Sequence, residues 1–465
     1  MKNIRSIYQR KFITAVITAM FIPSVLHADY TEFKFNGVSY QITDPAQRRV
    51  RTSCGILYDG KYLPGAFVSG DLNLTGIVSY NGSFYTLDEI AHNSFCNNEA
   101  LTRVNINVEQ LKEIGINAFE DCPVLRKVKI QTSTDYVLGT QAFYNCSNLR
   151  EADLGYNVTY IGSCAFWSCE KLESFYIPSK VTFLGEYAFT YCYSLKSLIF
   201  ATTKLAEIRR EAFLGCKNLQ TLILPERGLE KIGEYAFSNC ASLEHLEIPN
   251  SVKQIDQYAF LDCGAMASLT LGNAVELIGQ GAFNGCKSLK SLTLGNAVRT
   301  IGQGAFSGCE SLESLAFGSN IQTIDDMAFS ICNNLKTVDL PASLLKIGKL
   351  AFNGSGAMDR VICRATTPPE AGDMMFSEDT YQQATLYVPA ASVSSYASHP
   401  EWGKFNRIAD INSMNSGIEA VESDYRINDE IFNLDGTRMD EGIAPSKPGI
   451  YILRSGSETR KILIR

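Results

Sequence analysis

The sequence is poor in the residues from which most catalytic and metal sites are built. It has only four histidines in 465 residues, and neither a Walker-type phosphate loop nor a dinucleotide-binding glycine fingerprint follows a predicted strand. Nucleotide-dependent catalysis and a histidine-based metal centre therefore have little support. We expect a protein that is not an enzyme and that carries no metal or other cofactor.

Basic charge is also in short supply. Lysine and arginine number 42 against 49 aspartates and glutamates, and the net charge is −7. Four of the basic residues and none of the acidic ones lie in residues 1–28, so the rest of the chain holds 38 basic and 49 acidic residues, a net charge of −11. Because nucleic acid recognition depends on basic patches, we expect no nucleic acid partner.

No apolar stretch is long enough to cross a bilayer as a helix. The run from Phe12 to Leu26 has fifteen residues, whereas a membrane span needs about 20. Four basic residues precede it, which is typical of a signal peptide, here residues 1–28; an uncleaved anchor is the alternative. No cysteine follows the cleavage site, so no lipid anchor is expected. We expect an exported mature chain without an integral membrane span.

What the sequence has in abundance is one repeat of 23 or 24 residues. A phenylalanine recurs at that interval thirteen times, at Phe95, Phe119, Phe143, Phe166, Phe189, Phe213, Phe237, Phe260, Phe283, Phe306, Phe329, Phe352 and Phe376. A period this strict is typical of a solenoid, in which each coil packs only on its neighbours.

Cysteine keeps the same period. It follows the phenylalanine by three residues in ten coils, from Cys122 to Cys332. We expect these thiols to fill one buried position in reduced form, because cysteine can serve there as a small hydrophobic residue and a disulfide would need a specific geometry. The redox state of the remaining cysteines is left open; they are Cys54, Cys96, Cys164 and Cys363.

The rest of the repeat predicts its shape. The pattern Leu-x-x-Leu-x-Leu ends in strict alternation and indicates a short, half-buried strand. Gly or Pro then turns the chain, and the Ile-Gly-x-x-Ala-Phe segment returns along the far side. Strands one coil apart must be parallel. The phenylalanine side is the bulkier one, so the stack is expected to curve with its sheet on the inside.

The unit Ile-Gly-x-x-Ala-Phe-x-x-Cys-x-x-Leu resembles the leucine-rich repeat of the BspA-like class, found on Bacteroidetes and other bacteria. The resemblance covers residues 86–365. It implies a right-handed, curved leucine-rich repeat solenoid, with a parallel β-sheet on the concave face and short strands and helical turns on the convex side. It also implies a surface protein, since many members of the class look like adhesins.

The flanking segments are expected to cover the ends of the solenoid. Residues 29–85 alternate as strands between Asn-Gly and Asp-Gly turns and predict an N-terminal β cap. Residues 366–412 keep the repeat register at Phe376 and predict a C-terminal cap. Residues 413–417 are a predicted linker, and residues 418–465 a small β module.

The C-terminal module resembles the sorting domain of the type IX secretion system. The matching residues are Leu434–Arg438, Gly449–Tyr451 and the final Lys461–Arg465. The resemblance implies that the tail directs passage across the outer membrane. The alternative is a packed β appendage without a role in export.

The candidate binding residues lie on the predicted strands. Positions eight and ten after each phenylalanine should point outward, and position ten is apolar in three successive coils. The candidates at position ten are Tyr176, Ile199 and Ile223, and those at position eight are Ser174, Ser197 and Thr221. Stacked coils would join the first three into one exposed apolar stripe, which is typical of interaction sites. The alternative is that they only stabilise the strands.

These observations favour a binding protein. The expected location is extracellular or on the outer cell surface, with the periplasm as the alternative. The expected partners are host extracellular matrix proteins, other bacteria or glycans, held by a rigid concave face that loses little entropy on binding. The alternative function is a structural cell-envelope scaffold that acts through self-association. The sequence leaves the oligomeric state open.

Overall fold

A computed structural model describes residues 31–58, 61–355, 358–415, 418–420, 430–432, 449–455 and 458–464. The predicted signal peptide and the Leu434–Arg438 motif lie outside the described residues. Strands in the described ranges are numbered along the chain from β1, and α-helices from α1.

The N-terminal residues form hairpins that lead into the solenoid. One hairpin turns at Asn36 and Gly37 and another at Asn81 and Gly82. All four residues have φ between 47° and 82°, which a two-residue hairpin turn requires and Asn-Gly adopts readily. The strands here are β1 (Glu32–Phe35), β2 (Val38–Asp44), β3 (Arg49–Thr52), β4 (Ile56–Tyr58), β5 (Lys61–Leu63), β7 (Ile77–Tyr80) and β8 (Ser83–Ile90).

One parallel ladder contributes a strand to each coil. Its strands are β6 (Gly70–Thr75), β9 (Leu101–Asn107), β11 (Lys127–Gln131), β13 (Glu151–Asp153), β15 (Ser174–Ile177), β17 (Ser197–Phe200), β19 (Thr221–Ile223), β21 (His245–Glu247), β23 (Ser268–Thr270), β25 (Ser291–Thr293), β27 (Ser314–Ala316), β29 (Thr337–Leu340), β31 (Arg360–Cys363), β33 (Thr385–Val388) and β34 (Arg407–Asp410). Within the described residues, ladder pairing is interrupted after β13, β19, β23 and β27. We call the outward side of this ladder the strand face.

A second parallel ladder, interrupted in the described residues after Leu184, is formed by the segment that leads into the Gly of the Ile-Gly-x-x-Ala-Phe pattern. Its strands are β10 (Glu113–Ile114), β12 (Tyr136–Leu138), β14 (Val158–Ile161), β16 (Phe183–Leu184), β18 (Glu207–Ile208), β20 (Lys231–Ile232), β22 (Gln254–Ile255), β24 (Leu277–Ile278), β26 (Thr300–Ile301), β28 (Thr323–Ile324), β30 (Lys346–Ile347) and β32 (Glu370–Ala371). Turns rather than helices connect it to the cysteine position. The predicted leucine-rich repeat fold is therefore confirmed, with very little helix on the return path.

Stacks of identical residues fill the interior. The thirteen phenylalanines are fully buried, and successive rings lie 5.0 to 5.4 Å apart with interplanar angles of 3° to 13°. Stacks of this kind bury a large apolar area while keeping the rings in contact. They fix the register of the coils and hence the order of side chains on the strand face.

The last phenylalanine of the stack is covered by the C-terminal residues. Phe376 contacts the rings of Tyr381, Trp402 and Phe405. The helices here are α1 (Glu378–Gln383) and α2 (Val393–Ala397), with 3₁₀ turns at Ala390–Ser392, Trp402–Lys404 and Ile411–Asn415. In the described parts of the chain, no helix has the length and apolar character of a membrane span.

The C-terminal tail contains a separate four-stranded sheet. Its strands are β35 (Ile418–Ala420), β36 (Glu430–Phe432), β37 (Gly449–Ser455) and β38 (Glu458–Ile464). β35 pairs parallel to β38, whereas β37 pairs antiparallel to both β36 and β38. The predicted motif residues Gly449–Tyr451 begin β37, and Lys461–Ile464 end β38.

Candidate binding site on the strand face

The apolar stripe predicted from the sequence forms on the strand face. Tyr176 is the Cα partner of Ile199, and Ile199 is the partner of Ile223. Tyr176 and Ile223 are each 49% exposed, and Ile199 is half-buried. Because side chains alternate along a strand, the residue that precedes each of them, such as Leu198 before Ile199, points into the core. The structure thus brings the three candidate residues together, as position ten of the repeat predicts.

The polar candidates form a second row beside the stripe. Ser174 is the Cα partner of Ser197, which in turn is the partner of Thr221. Ser174 and Thr221 are exposed and Ser197 is half-buried. The two rows together make a surface with an apolar centre and hydroxyl groups along one side, which is the composition that many interaction sites share.

A cleft opens next to Tyr176, where ladder pairing stops between β13 and β15. A hydrogen bond still joins the two coils at the residue before β15, where the Glu173 amide donates to the Arg150 carbonyl oxygen over 3.2 Å. One part of the cleft, about 440 Å³, lies between the two strands and reaches Ser197 and Ile199. Another, about 550 Å³, extends towards Gln131 and Tyr156. Both parts are shallow and open to solvent.

Gly155 shapes the floor of this cleft. Its φ is +66°, and a Cβ there would lie 2.8 Å from the Ile130 carbonyl oxygen, so the turn approaches β11 more closely than a side chain would allow. The Gly155 amide donates to Asp153 Oδ1 over 3.0 Å. This bond leaves the Asp153 side chain exposed at the edge of the cleft.

The sequence analysis did not identify this cleft. The only signal is Tyr156, which is 76% exposed and stands thirteen residues after the phenylalanine. No other coil has an aromatic residue at this position; Ser179, Thr202 and Asn250 occupy it in later coils. Tyr156 and Tyr176 both line the part of the cleft nearest to Gln131. Two exposed tyrosines therefore flank one depression.

Ion pairs connect the coils around the cleft. Lys180 Nζ donates to Asp135 Oδ1 over 2.6 Å and to Asn157 Oδ1 over 2.7 Å. Asn157 Nδ2 in turn donates to the Thr132 carbonyl oxygen over 2.7 Å. These bonds tie three successive coils together and hold the turn that carries Tyr156. The other pairs beside the cleft are Lys127–Glu151 and Arg150–Glu173.

Aromatic residues away from the strand face pack on one another. Tyr160 and Phe183 stack at 4.3 Å with an interplanar angle of 1°. Trp167 contacts Tyr187 at 5.4 Å and Tyr191 at 5.9 Å. These side chains fill the walls between coils, and we do not assign them to the binding site.

One polar pair on the strand face was missed. The sequence analysis assembled no serine–histidine arrangement, but His245 Nδ1 lies 2.7 Å from Ser268 Oγ because both occupy position eight of adjacent coils. The His245 side chain is 72% exposed, and the Glu244 carboxylate, 66% exposed, lies 4.0 Å from Nε2. Activation of a serine nucleophile depends on a desolvated, preorganised site. Because His245 and Ser268 are open to water, the pair does not fit that role.

The cysteines offer no reactive thiol on the strand face. The ten repeat cysteines are fully buried and free of disulfides, and burial raises the pKa of Cys263 and of Cys332 to about 12. A thiol that stays protonated is a poor nucleophile and a poor metal ligand. Within the described ranges, no group of three His, Cys, Asp or Glu residues is placed to hold a metal ion.

Comparison with solved structures finds similar bacterial proteins. A leucine-rich cell surface protein from Faecalibacterium prausnitzii is 23% identical, over 82% of this chain and 95% of that one, with a TM-score of 0.44. A leucine-rich repeat protein from Bacteroides ovatus is 21% identical, over 77% and 95%, with a TM-score of 0.46. The pneumococcal vaccine antigen PcpA is 18% identical, over 82% and 98%, with a TM-score of 0.39. No curated protein matches the chain.

The repeats themselves decide the family. Six copies of the BspA-type leucine-rich repeat region match residues 73–196, 187–280 and 253–382, well over half of the chain. The match covers every phenylalanine of the stack, the whole second ladder and the first ladder as far as β31. The chain therefore belongs to the BspA-type leucine-rich repeat family.

Proposed function

We propose that this protein is an adhesin that binds its partner non-covalently through the strand face. The observation that carries the proposal is the exposed stripe of Tyr176, Ile199 and Ile223 in direct register. Exposed apolar groups at the centre of a polar surface supply most of the energy of many interfaces. The stacked interior holds the stripe rigid, so little conformational entropy is lost on binding.

The proposed partners are host extracellular matrix proteins, other bacteria or surface glycans. The stripe supports a role in binding because the next three coils have no equivalent: position ten is Glu247, Thr270 and Thr293 there. If apolar strand residues served only the stability of the repeat, those coils would need them as well. The stripe is therefore a local addition to a repeat that folds without it.

The proposed location is the outside of a bacterium of the Bacteroidetes type, either extracellular or on the outer surface, with the periplasm as the alternative. Residues 1–28 carry the pattern of a signal peptide. The tail resembles a type IX sorting domain, and we propose that it acts in export. Deletion of residues 418–465 should then trap the protein inside the outer membrane, and normal surface display of the truncated chain would contradict this role.

The test is equilibrium binding of the full chain to purified matrix proteins, neutral oligosaccharides and whole bacterial cells. A triple variant, Tyr176→Ser with Ile199→Ser and Ile223→Ser, should lose at least about 100-fold in affinity, as expected when a central cluster is removed. The matched control changes the same position in the next three coils: Glu247→Ser with Thr270→Ser and Thr293→Ser. It should bind as the wild type does.

Two results would contradict the proposal. One is unchanged affinity in the stripe variant with a normal unfolding transition. The other is the absence of any saturable partner together with concentration-dependent self-association in analytical ultracentrifugation. The second result would favour the alternative of a cell-envelope scaffold.

A further inference from the structure

The cleft between β13 and β15 differs from the other interruptions of the ladder. At the interruptions after β19, β23 and β27, the residues at position ten on the two sides are Ile223 and Glu247, Thr270 and Thr293, and Ala316 and Asp339. None of these is aromatic. At the β13–β15 interruption, Tyr176 stands on one side and Tyr156 follows the turn on the other. The repeat pattern does not account for two tyrosines at the edge of one cleft.

Glu151 and Asp153 are the charged residues that line the cleft, and each has a basic residue beside it, while the flanking charges are paired. Arg150 pairs with Glu173 at 3.1 Å and Lys180 with Asp135 at 2.6 Å. Lys127 pairs with Glu151, and Lys129 is the direct cross-strand neighbour of Asp153. A site for a strongly charged ligand would carry an excess of the opposite charge. The arrangement here favours a ligand with no net charge.

The remaining groups at the cleft are those that bind hydroxyl groups. Asp153 offers a carboxylate whose Oδ1 is oriented by the Gly155 amide. Gln131 offers an exposed amide at one end, and Ser174 a hydroxyl at the other. A carboxylate beside an amide can accept from and donate to neighbouring hydroxyls at once, and hydrogen bonds to a charged acceptor are the stronger ones.

We propose that this cleft binds a neutral saccharide. The C–H face of a sugar ring would lie on Tyr176 or Tyr156, and vicinal hydroxyls would bond to Asp153 and Gln131. The cleft reaches across β11, β13, β15 and β17, three steps between coils or about 15 Å, which suits two or three sugar rings. The inference rests on the proposed adhesin function and specifies the class of ligand for one part of its surface.

The experiment measures binding of the full chain to immobilised neutral oligosaccharides with terminal glucose, galactose, mannose or N-acetylglucosamine. Sialylated and sulfated oligosaccharides and a matrix protein panel run beside them. Asp153→Asn keeps an acceptor for the Gly155 amide but removes the carboxylate, and Tyr156→Ala removes one ring from an exposed position. Thr293→Ala is the control, because Thr293 is exposed at position ten of a distant coil and lines neither part of the cleft.

We expect at least one neutral oligosaccharide to bind saturably. Its Kd should rise at least about tenfold in Asp153→Asn and in Tyr156→Ala, as the loss of a charge-assisted bond or of a stacking surface implies, and less than about twofold in Thr293→Ala. Thermal unfolding of the three variants should match the wild type, since all three side chains are exposed.

The inference and the proposed function fail in different ways. If the protein binds a matrix protein, loses that binding in the stripe variant and binds no neutral sugar, the saccharide site is wrong and the adhesin remains. Sugar binding that survives both cleft substitutions would also overturn the proposed site. If neither sugars nor proteins nor cells bind, both proposals are wrong.

Discussion

Ser355 Oγ donates a hydrogen bond of 3.2 Å to the carbonyl oxygen of Phe329, in the coil before it. In ten other coils a cysteine thiol makes the same bond to the preceding phenylalanine, as Cys146 does to Phe119 over 3.1 Å. The cysteine ladder is thus a row of buried hydrogen-bond donors as well as a row of small apolar side chains. One coil shows that a hydroxyl can take the same place.

Replacement of Cys146 tests the donor role. Cys146→Ser keeps a donor for Phe119 and should lower the free energy of unfolding by less than about 1 kcal/mol. Cys146→Ala removes the donor and leaves a small void, and should cost about 1–3 kcal/mol. Urea denaturation under reducing conditions measures both. A serine variant as destabilised as the alanine variant would show that the thiol acts only by filling space.

The buried thiols predict an instability to alkali. Burial raises the pKa of Cys263 and of Cys332 to about 12, and it raises the pKa of Cys192 and of Cys286 well above the usual value near 9. The folded protein thus keeps protons that the unfolded chain loses. The stabilising contribution is complete below about pH 9 and disappears as the pH rises through the folded-state pKa values.

The size of this effect follows from linkage. Each thiol that ionises only on unfolding lowers the free energy of unfolding by up to about 1.4 kcal/mol per pH unit above its unfolded pKa. Urea denaturation at pH 7, 9 and 10.5 with a strong reductant measures the slope. Stability that stays constant over this range would mean that the ladder is not titrating as buried thiols should.

Neighbouring residues on one strand should differ sharply in their contribution to stability. Phe175 is buried and contacts Phe166 at 5.2 Å and Phe189 at 4.5 Å, whereas Tyr176 next to it points outward. Phe175→Ser should cost about 3–5 kcal/mol, and Tyr176→Ser less than about 1 kcal/mol. Urea denaturation of the two variants checks the difference. Equal losses would mean that Tyr176 is part of the core and would weaken its assignment to a binding surface.

The sequence predicts the stripe well because the repeat is strict. Once the phenylalanine register is known, Tyr176, Ile199 and Ile223 occupy one position of successive coils, and parallel pairing places them side by side. The same register places His245 beside Ser268, because both occupy position eight of adjacent coils.

The cleft could not be predicted in the same way. It depends on β13 and β15 failing to pair after Glu173, and on how closely the turn at Gly155 approaches Ile130. A periodic pattern describes what the coils have in common, whereas the cleft arises where one coil departs from its neighbours. Tyr156 marks that departure in the sequence, but a single exposed tyrosine does not define a site.

The final prediction concerns the C-terminal end of the solenoid. Trp402 is fully buried, its ring lies 5.4 Å from Tyr396, and its Nε1 donates to the Pro369 carbonyl oxygen over 3.0 Å. Since the ring covers the end of the phenylalanine stack at Phe376, its loss exposes apolar surface that has no further coil to bury it. Trp402→Ala should therefore cost about 3–5 kcal/mol and loosen the last coils first.

Two measurements distinguish local unfolding of the last coils from unfolding of the whole solenoid. The chain has only two tryptophans, so the fluorescence of a Trp167→Phe variant reports on Trp402 alone, and it should shift to the red before the circular dichroism of the repeats changes. In Trp402→Ala, amide exchange should accelerate in β31 to β34 and leave the central coils protected. Trp402→Phe keeps the apolar cover but loses the bond to Pro369, and should cost only about 1 kcal/mol. Uniform acceleration of exchange in Trp402→Ala would mean instead that the solenoid unfolds as one cooperative unit, because the interfaces between coils would then be too strong for the end to open alone.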